Sequence, residues 1–336
     1  MITRFFFFMA LCLIFSLNYL AFAAETDQIT CRVEQEGCTR TQLELKDSRA
    51  TINQWIYENA QAILDEINKQ QWVSPHKVLL AMGNGLGEMH VKLAPIEAHV
   101  LLNLNLYDHF STGRGVYKTS DYSEMGIGSW FPLFPTIKIS GVLLGLDKLG
   151  HFFSQGWDYM KLQLDLQRNA PRMSQEEANK KIKQFGIELE KGIYGLRMSG
   201  VFSFADLVAN WQGYELYKNL VYGDNPHLTL SKDGYWVWNR IIDLGEYVRD
   251  EMDEVINPNV YYASTLSLEV FEVIVANCRH YFKDPDKFMN RQGKPMTTQY
   301  LPDDIEWQIR REFPENAGWI SRKDFSVEYT CNKLPR

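Results

Sequence analysis

Past its first two dozen residues the chain has no apolar run near the ~18 residues that a membrane-spanning helix needs. The best later stretch, residues 139 to 146, is far too short, which excludes a span in the body of the protein. Positive charge is also scarce: 35 Lys and Arg stand against 42 Asp and Glu, for a net charge of -7. With no basic run interleaved with aromatics, nucleic acid is not an expected partner. There is no Cys-x-x-Cys pair, which weighs against a zinc-thiolate centre. Nucleotide loops are missing too: Gly83-Asn84-Gly85-Leu86-Gly87 has neither the dinucleotide spacing nor a following Lys-Ser/Thr, and it reads as a turn.

What is present begins with a leader. Arg4, a largely apolar run over residues 5 to 20 and the small-x-small end Ala21-Phe22-Ala23 read as a signal peptide, residues 1 to 23, cleaved after Ala23. Residues 24 to 336 then form an exported chain of net charge -8, since the leader carries only Arg4. The expected location is periplasmic, either soluble or in peripheral contact with the envelope membrane. Four cysteines remain in that oxidising space, and the expected pairs are Cys31 with Cys38 and Cys278 with Cys331.

Helical periodicity dominates the rest. Residues 48 to 71 carry Ile52, Trp55, Ile56, Ile63, Leu64 and Ile67 at helical spacing. Further helices are expected over residues 95 to 110, 142 to 167, 174 to about 196, 203 to 222, 239 to 255 and 264 to 281. Ser174 with Glu177 has the form of a capping box, and Gly223 and Pro226 stop the helix that begins at Ser203. Residues 111 to 140 form a long aromatic loop, and the tail beyond residue 283 is irregular, tied down by its cysteines. The fold class is mainly α: a bundle-like single domain with long aromatic loops and a disulfide-tied tail.

Three of these helices each carry a narrow polar stripe. At ~100° per residue, Asp147, His151, Ser154 and Asp158 fall within roughly 60° of one another. Glu190 marks the next helix, and Asp206, Asn210, Gly213 and Tyr217 share one side of the third. The stripes are expected to converge and to border a cavity. His151 beside Asp147 has the makings of an oriented base, or of a ligand to a divalent metal completed by Asp206, Glu190 or Asp158. Each residue also has a structural reading: Asp147 favours a helix dipole, Asp206 completes a cap, Asn210 bridges helices and Gly213 permits close packing. Ser154 is a weak nucleophile candidate, because a mid-helix serine bonds its own backbone.

The pattern Asp147-Lys148-x-x-His151-Phe152, followed by Glu190, Arg197 and Ser203-x-x-Asp206-x-x-x-Asn210-x-x-Gly213, resembles the VanZ-like family and the related YfiM-like small lipoproteins. The resemblance covers residues 147 to 213 and implies an envelope protein, with no chemistry attached. The chain departs from the membrane-embedded VanZ pattern through Lys161, Asp165, Arg168, Lys180, Lys181 and Lys183, whose charges cannot lie in lipid. Two functions follow as expectations. One is hydrolysis of a lipid or peptidoglycan component, with His151, Asp147, Asp206, Asn210 and Glu190 forming the site. The other is a noncatalytic role, binding a partner or glycan through the Trp130 and Trp236/Trp238 regions while the stripes fix helix packing; on either reading the expected partner is an envelope component or small molecule.

Overall fold

The computed structural model describes residues 45–89, 93–110, 135–192, 194–195, 201–254, 257, 259–261, 275, 278, 282 and 331–333. The leader, the Cys31–Cys38 pair, Arg197, the aromatic loop over 111–134 with Trp130, and most of the helix expected over 264–281 lie outside the described residues. Helices predominate, with a few short strands between them.

The first helix, α1 (Arg49–Lys69), buries Ile52, Ile56, Ala60, Leu64 and Ile67, the apolar stripe expected of it. It lies against α2 (Pro75–Gly87). Here the sequence reading is corrected: Gly83, Gly85 and Gly87 are helical rather than a turn. Their missing side chains admit neighbours, since a Cβ on Gly83 would lie 2.5 Å from the Trp157 ring and one on Gly87 2.5 Å from the Phe153 carbonyl oxygen. Close packing therefore outweighs the poor helix propensity of glycine.

A second correction concerns residues 95 to 110. Helix α3 ends early (Pro95–Leu102), because Asn103 leaves helical geometry and turns its side-chain amide back to donate to the His99 carbonyl at 2.8 Å. A 3-10 turn and strand β1 (His109–Phe110) follow. The chain then builds a three-stranded antiparallel sheet from β1, β2 (Thr136–Ile139) and β3 (Val142–Gly145), with Ile139 opposite Val142. Residues 142–145 are thus a strand and not the start of a helix. Ser140 and Gly141 both take positive φ, and Asp47 accepts the Gly141 amide at 2.8 Å, which fixes a tight turn there.

The central helix starts at Asp147. It runs as α4 (Asp147–Gly150), a π turn over His151–Gln155 and α5 (Gly156–Asn169). Helix α6 (Gln175–Lys191) opens with the expected capping box: Ser174 Oγ accepts the Glu177 amide at 3.2 Å, and Glu177 accepts the Ser174 amide at 2.9 Å. Strand β4 (Val201–Phe202) leads into α7 (Phe204–Val221), which crosses the π turn and α5. At that crossing a Cβ on Gly156 would lie 2.7 Å from Gly213 Cα, and one on Gly213 would overlap the Phe152 carbonyl oxygen. Tyr217 donates to the Phe153 carbonyl at 2.8 Å, helping satisfy the loosened turn.

Beyond α7, the aromatic stretch is a hairpin of β5 (Leu228–Leu230) and β6 (Trp236–Trp238). Trp236 is buried, and its indole donates to the Trp72 carbonyl at 2.7 Å, so it serves the core and not a contact surface. The helix expected over 239 to 255 is replaced by two 3-10 turns, Leu244–Glu246 and Asp250–Met252. Asp243 accepts from the Gly245 amide and pairs with Arg49, while Asn53 accepts the Leu244 amide. These side-chain bonds to α1 hold the backbone out of a helix. Strand β7 (Val260–Tyr261) pairs with β4, and Cys278 is bonded to Cys331 as expected.

Candidate functional site

The helices that carry the polar stripes meet inside the protein. Asp147 occupies the first turn of α4, where a carboxylate suits the helix dipole. His151 opens the π turn one turn later. Asp206 lies in the first turn of α7, its amide donating to Ser203 Oγ at 3.1 Å, and Asn210 is one turn further on. Glu190 lies in the last turn of α6, four residues after Gly186, whose bare backbone accommodates the hydroxyl end of Tyr159.

At the centre is Lys148, only 1% exposed. Its ammonium lies 2.9 Å from Asp147 Oδ2, 2.7 Å from Asp206 Oδ1 and 2.7 Å from Glu254 Oε1. Three carboxylates from three separate elements thus converge on one cation. Such a buried group is tolerable only when its charge is paired on this scale.

His151 is joined to the same cluster. Its Nε2 lies 3.1 Å from Asp206 Oδ2, and its Nδ1 lies 3.1 Å from the Asn210 side-chain amide. The amide has two orientations. With the oxygen toward Nδ1, its NH2 faces Gln155 Oε1 at 3.0 Å and the Tyr159 hydroxyl at 3.3 Å. Turned over, the NH2 has three acceptors for its two hydrogens, His151 Nδ1 and the Asp206 carbonyl at 3.1 Å and the His151 carbonyl at 3.2 Å, with the oxygen toward Gln155. The second arrangement satisfies more groups and leaves Nε2–H to donate to Asp206, so it belongs to the resting network.

Burial sets the proton affinities. The His151 imidazole is pushed down to about 4 by desolvation, against the pull of Asp147, and is neutral at pH 7. Asp147 and Asp206 are both raised by desolvation, with Lys148 drawing them back. Glu190, 0% exposed, is raised well above the usual carboxylate range by desolvation and then by the charge of Asp206. The Ser203 backbone amide draws it back down in part. Glu97, from α3, packs over Gly150 and accepts the Ala94 amide at 2.6 Å. Its carboxyl is pushed up to about 8, mainly by desolvation.

Of the expected site residues, Asp147, His151, Asp206 and Asn210 belong to one connected network, and Glu190 is coupled to it through Asp206. The other two stripe members leave it. Asp158 pairs at the surface with Lys161, and Ser154 is buried with no partner for its hydroxyl. Gln155 and Tyr159 take their places, because the wide π turn advances the register by one residue. A cavity of about 270 Å3 lies between the end of α5 and the start of α6, lined by Gln163, Pro171, Met173 and Gln175. None of the expected site residues lines this cavity.

Sequence reasoning passed over Lys148, Glu254, Glu97, Gln155 and Tyr159. A signal existed for Lys148, a cation set between leucines in an otherwise buried helix. Glu254 had none, lying among other acids in a segment read as a charged helix. Chemically, the cluster can hold protons and cations: one ligand atom each from Asp147, His151 and Asp206 lies within 4.8 Å of the others. As arranged, it offers no free imidazole nitrogen. No family model, curated protein or solved structure matches the chain, so no relative contributes a role to any of these residues.

Proposed function

We propose that this chain is an exported envelope protein with a noncatalytic role, and that its buried Lys148–Asp206–His151 network fixes the packing of the central helices. The observation that carries the reading is the commitment of His151. A general base must reach the proton that it abstracts, yet Nε2 is held by Asp206, Nδ1 by Asn210, and the side chain is 7% exposed. Hydrolysis of a lipid or peptidoglycan component would require Nε2 to leave Asp206 and face solvent.

Export is supported by the leader-like first 23 residues, and the envelope by the VanZ-like and YfiM-like resemblance. Among the described residues no helix is long and apolar enough to cross a membrane. A partner, whether an envelope component or a small molecule, would meet the surface. The β5–β6 hairpin offers Leu230, Tyr235 and Val237 there, all exposed.

Allelic replacement by His151→Gln tests the reading. Folded protein in the envelope fraction and the sensitivity of the cells to detergent are measured together, and they should fall in proportion. A His151→Gln chain that accumulates and melts like the wild type while its cells behave as a deletion would contradict a structural role.

A further inference from the structure

We propose that the cluster also binds one divalent transition-metal ion, held by His151 Nε2 and by carboxylate oxygens of Asp206 and Asp147. This goes beyond the proposed function and holds whether or not the cluster is catalytic.

Geometry comes first. The ligand atoms of Asp147, His151 and Asp206 already lie within 4.8 Å of one another and are buried. Metal–ligand bonds of about 2.0–2.2 Å would draw them inward by roughly an ångström, within the reach of side-chain rotation. The second observation is independent of the spacing. Asp147, 1% exposed, has no hydrogen-bond partner for its Oδ1 among the described residues. Buried carboxylate oxygens without donors are costly, and a cation is the partner that would satisfy them. Lys148 already faces Asp147, Asp206 and Glu254, so one ammonium is shared among three carboxylates.

Asn210 supplies the third observation. A metal on Nε2 requires the imidazole proton to sit on Nδ1, where something must accept it. In its first orientation Asn210 presents Oδ1 to Nδ1 at 3.1 Å, as an accepting group should. In the turned orientation it donates to a bare Nδ1 at the same distance. One residue therefore serves both tautomers. On binding, the proton shifts from Nε2 to Nδ1, Asn210 turns, and any protons on the carboxylates pass to solvent. One imidazole with carboxylates suits zinc or manganese better than calcium or magnesium, which favour all-oxygen sets.

The test uses the mature chain stripped with a chelator, then titrated with zinc chloride and followed by calorimetry, elemental analysis and 15N NMR of the imidazoles. One tightly held zinc per chain is expected, together with a change of His151 from the Nε2–H to the Nδ1–H tautomer. Asp147→Asn, close in shape to the wild type, should weaken binding at least roughly tenfold, and His151→Gln should abolish it. Substoichiometric binding would overturn the site. So would zinc bound with the His151 resonances unchanged, or bound equally by wild type and Asp147→Asn. Should His151→Gln fail to fold, the tautomer and Asp147→Asn results decide alone.

Discussion

Lys148 Nζ and Glu254 Oε1 lie 2.7 Å apart although 106 residues of chain separate them, both buried beneath α7. The contact ties the start of the central helix to the segment after the second 3-10 turn. Removing one partner of a buried ion pair leaves the other charge stranded, at about 3–5 kcal/mol. Lys148→Met strands three carboxylates, so urea unfolding should show a loss at or above that range. A loss near that of a surface substitution would mean that the ammonium is not paired as described.

The crossing of α7 over the π turn rests on Gly213, whose hypothetical Cβ meets backbone and not a flexible side chain. Gly213→Ala would raise helix propensity by ~1 kcal/mol at an open site, yet here overpacking should dominate and destabilise by about 2 kcal/mol or more. Circular dichroism melts give the sign directly. A stabilised variant would show that the helices are further apart.

Glu97 gives the pH dependence a definite sign. Its folded-state affinity, about 8, exceeds the ordinary 4.5, so the native protein holds a proton that the unfolded chain releases. Its contribution is complete below pH 4.5 and is lost as pH rises through 8. His151 and His227, both lowered from 6.5 to about 4, act in the opposite sense but only below 6.5. Between pH 6.5 and 8 Glu97 alone should therefore cost the wild type on the order of 1 kcal/mol per pH unit, with Glu190, also raised, acting in the same sense. Glu97→Gln should lose less, and an identical slope in the two proteins would remove Glu97 from the explanation.

Cys278 and Cys331 close a loop with a sequence separation of 53, for which chain entropy predicts a stabilisation of about 4 kcal/mol. Non-reducing peptide mapping should recover the two joined, and reduction should lower the melting temperature. Free thiols at both positions in exported protein would contradict the bond.

The helices with clean apolar periods, α1 and α6, were legible in the sequence because their faces meet the core in register. Residues 142 to 145 and 239 to 255 were not, since there the outcome depends on Asp47, Asn53 and Arg49, groups far away in the chain. In the site, Asp147, His151, Asp206 and Asn210 could be read from i, i+4 spacing within two helices. Ser154 and Asp158 were misread because the spacing assumed an unbroken α-helix, and the π turn passes their places to Gln155 and Tyr159. Lys148 required knowledge of burial, and Glu254 required tertiary structure.

The central claim is that this charge network stores folding free energy. A double-mutant cycle between Lys148 and Asp206 measures it most directly, using Lys148→Met, Asp206→Asn and the double variant, unfolded by urea in excess chelator. The network predicts a coupling of at least about 1.5 kcal/mol, since Lys148→Met strands the Asp206 carboxylate together with two others and the double change removes that one stranded charge. Additive effects, with no coupling beyond error, would contradict it.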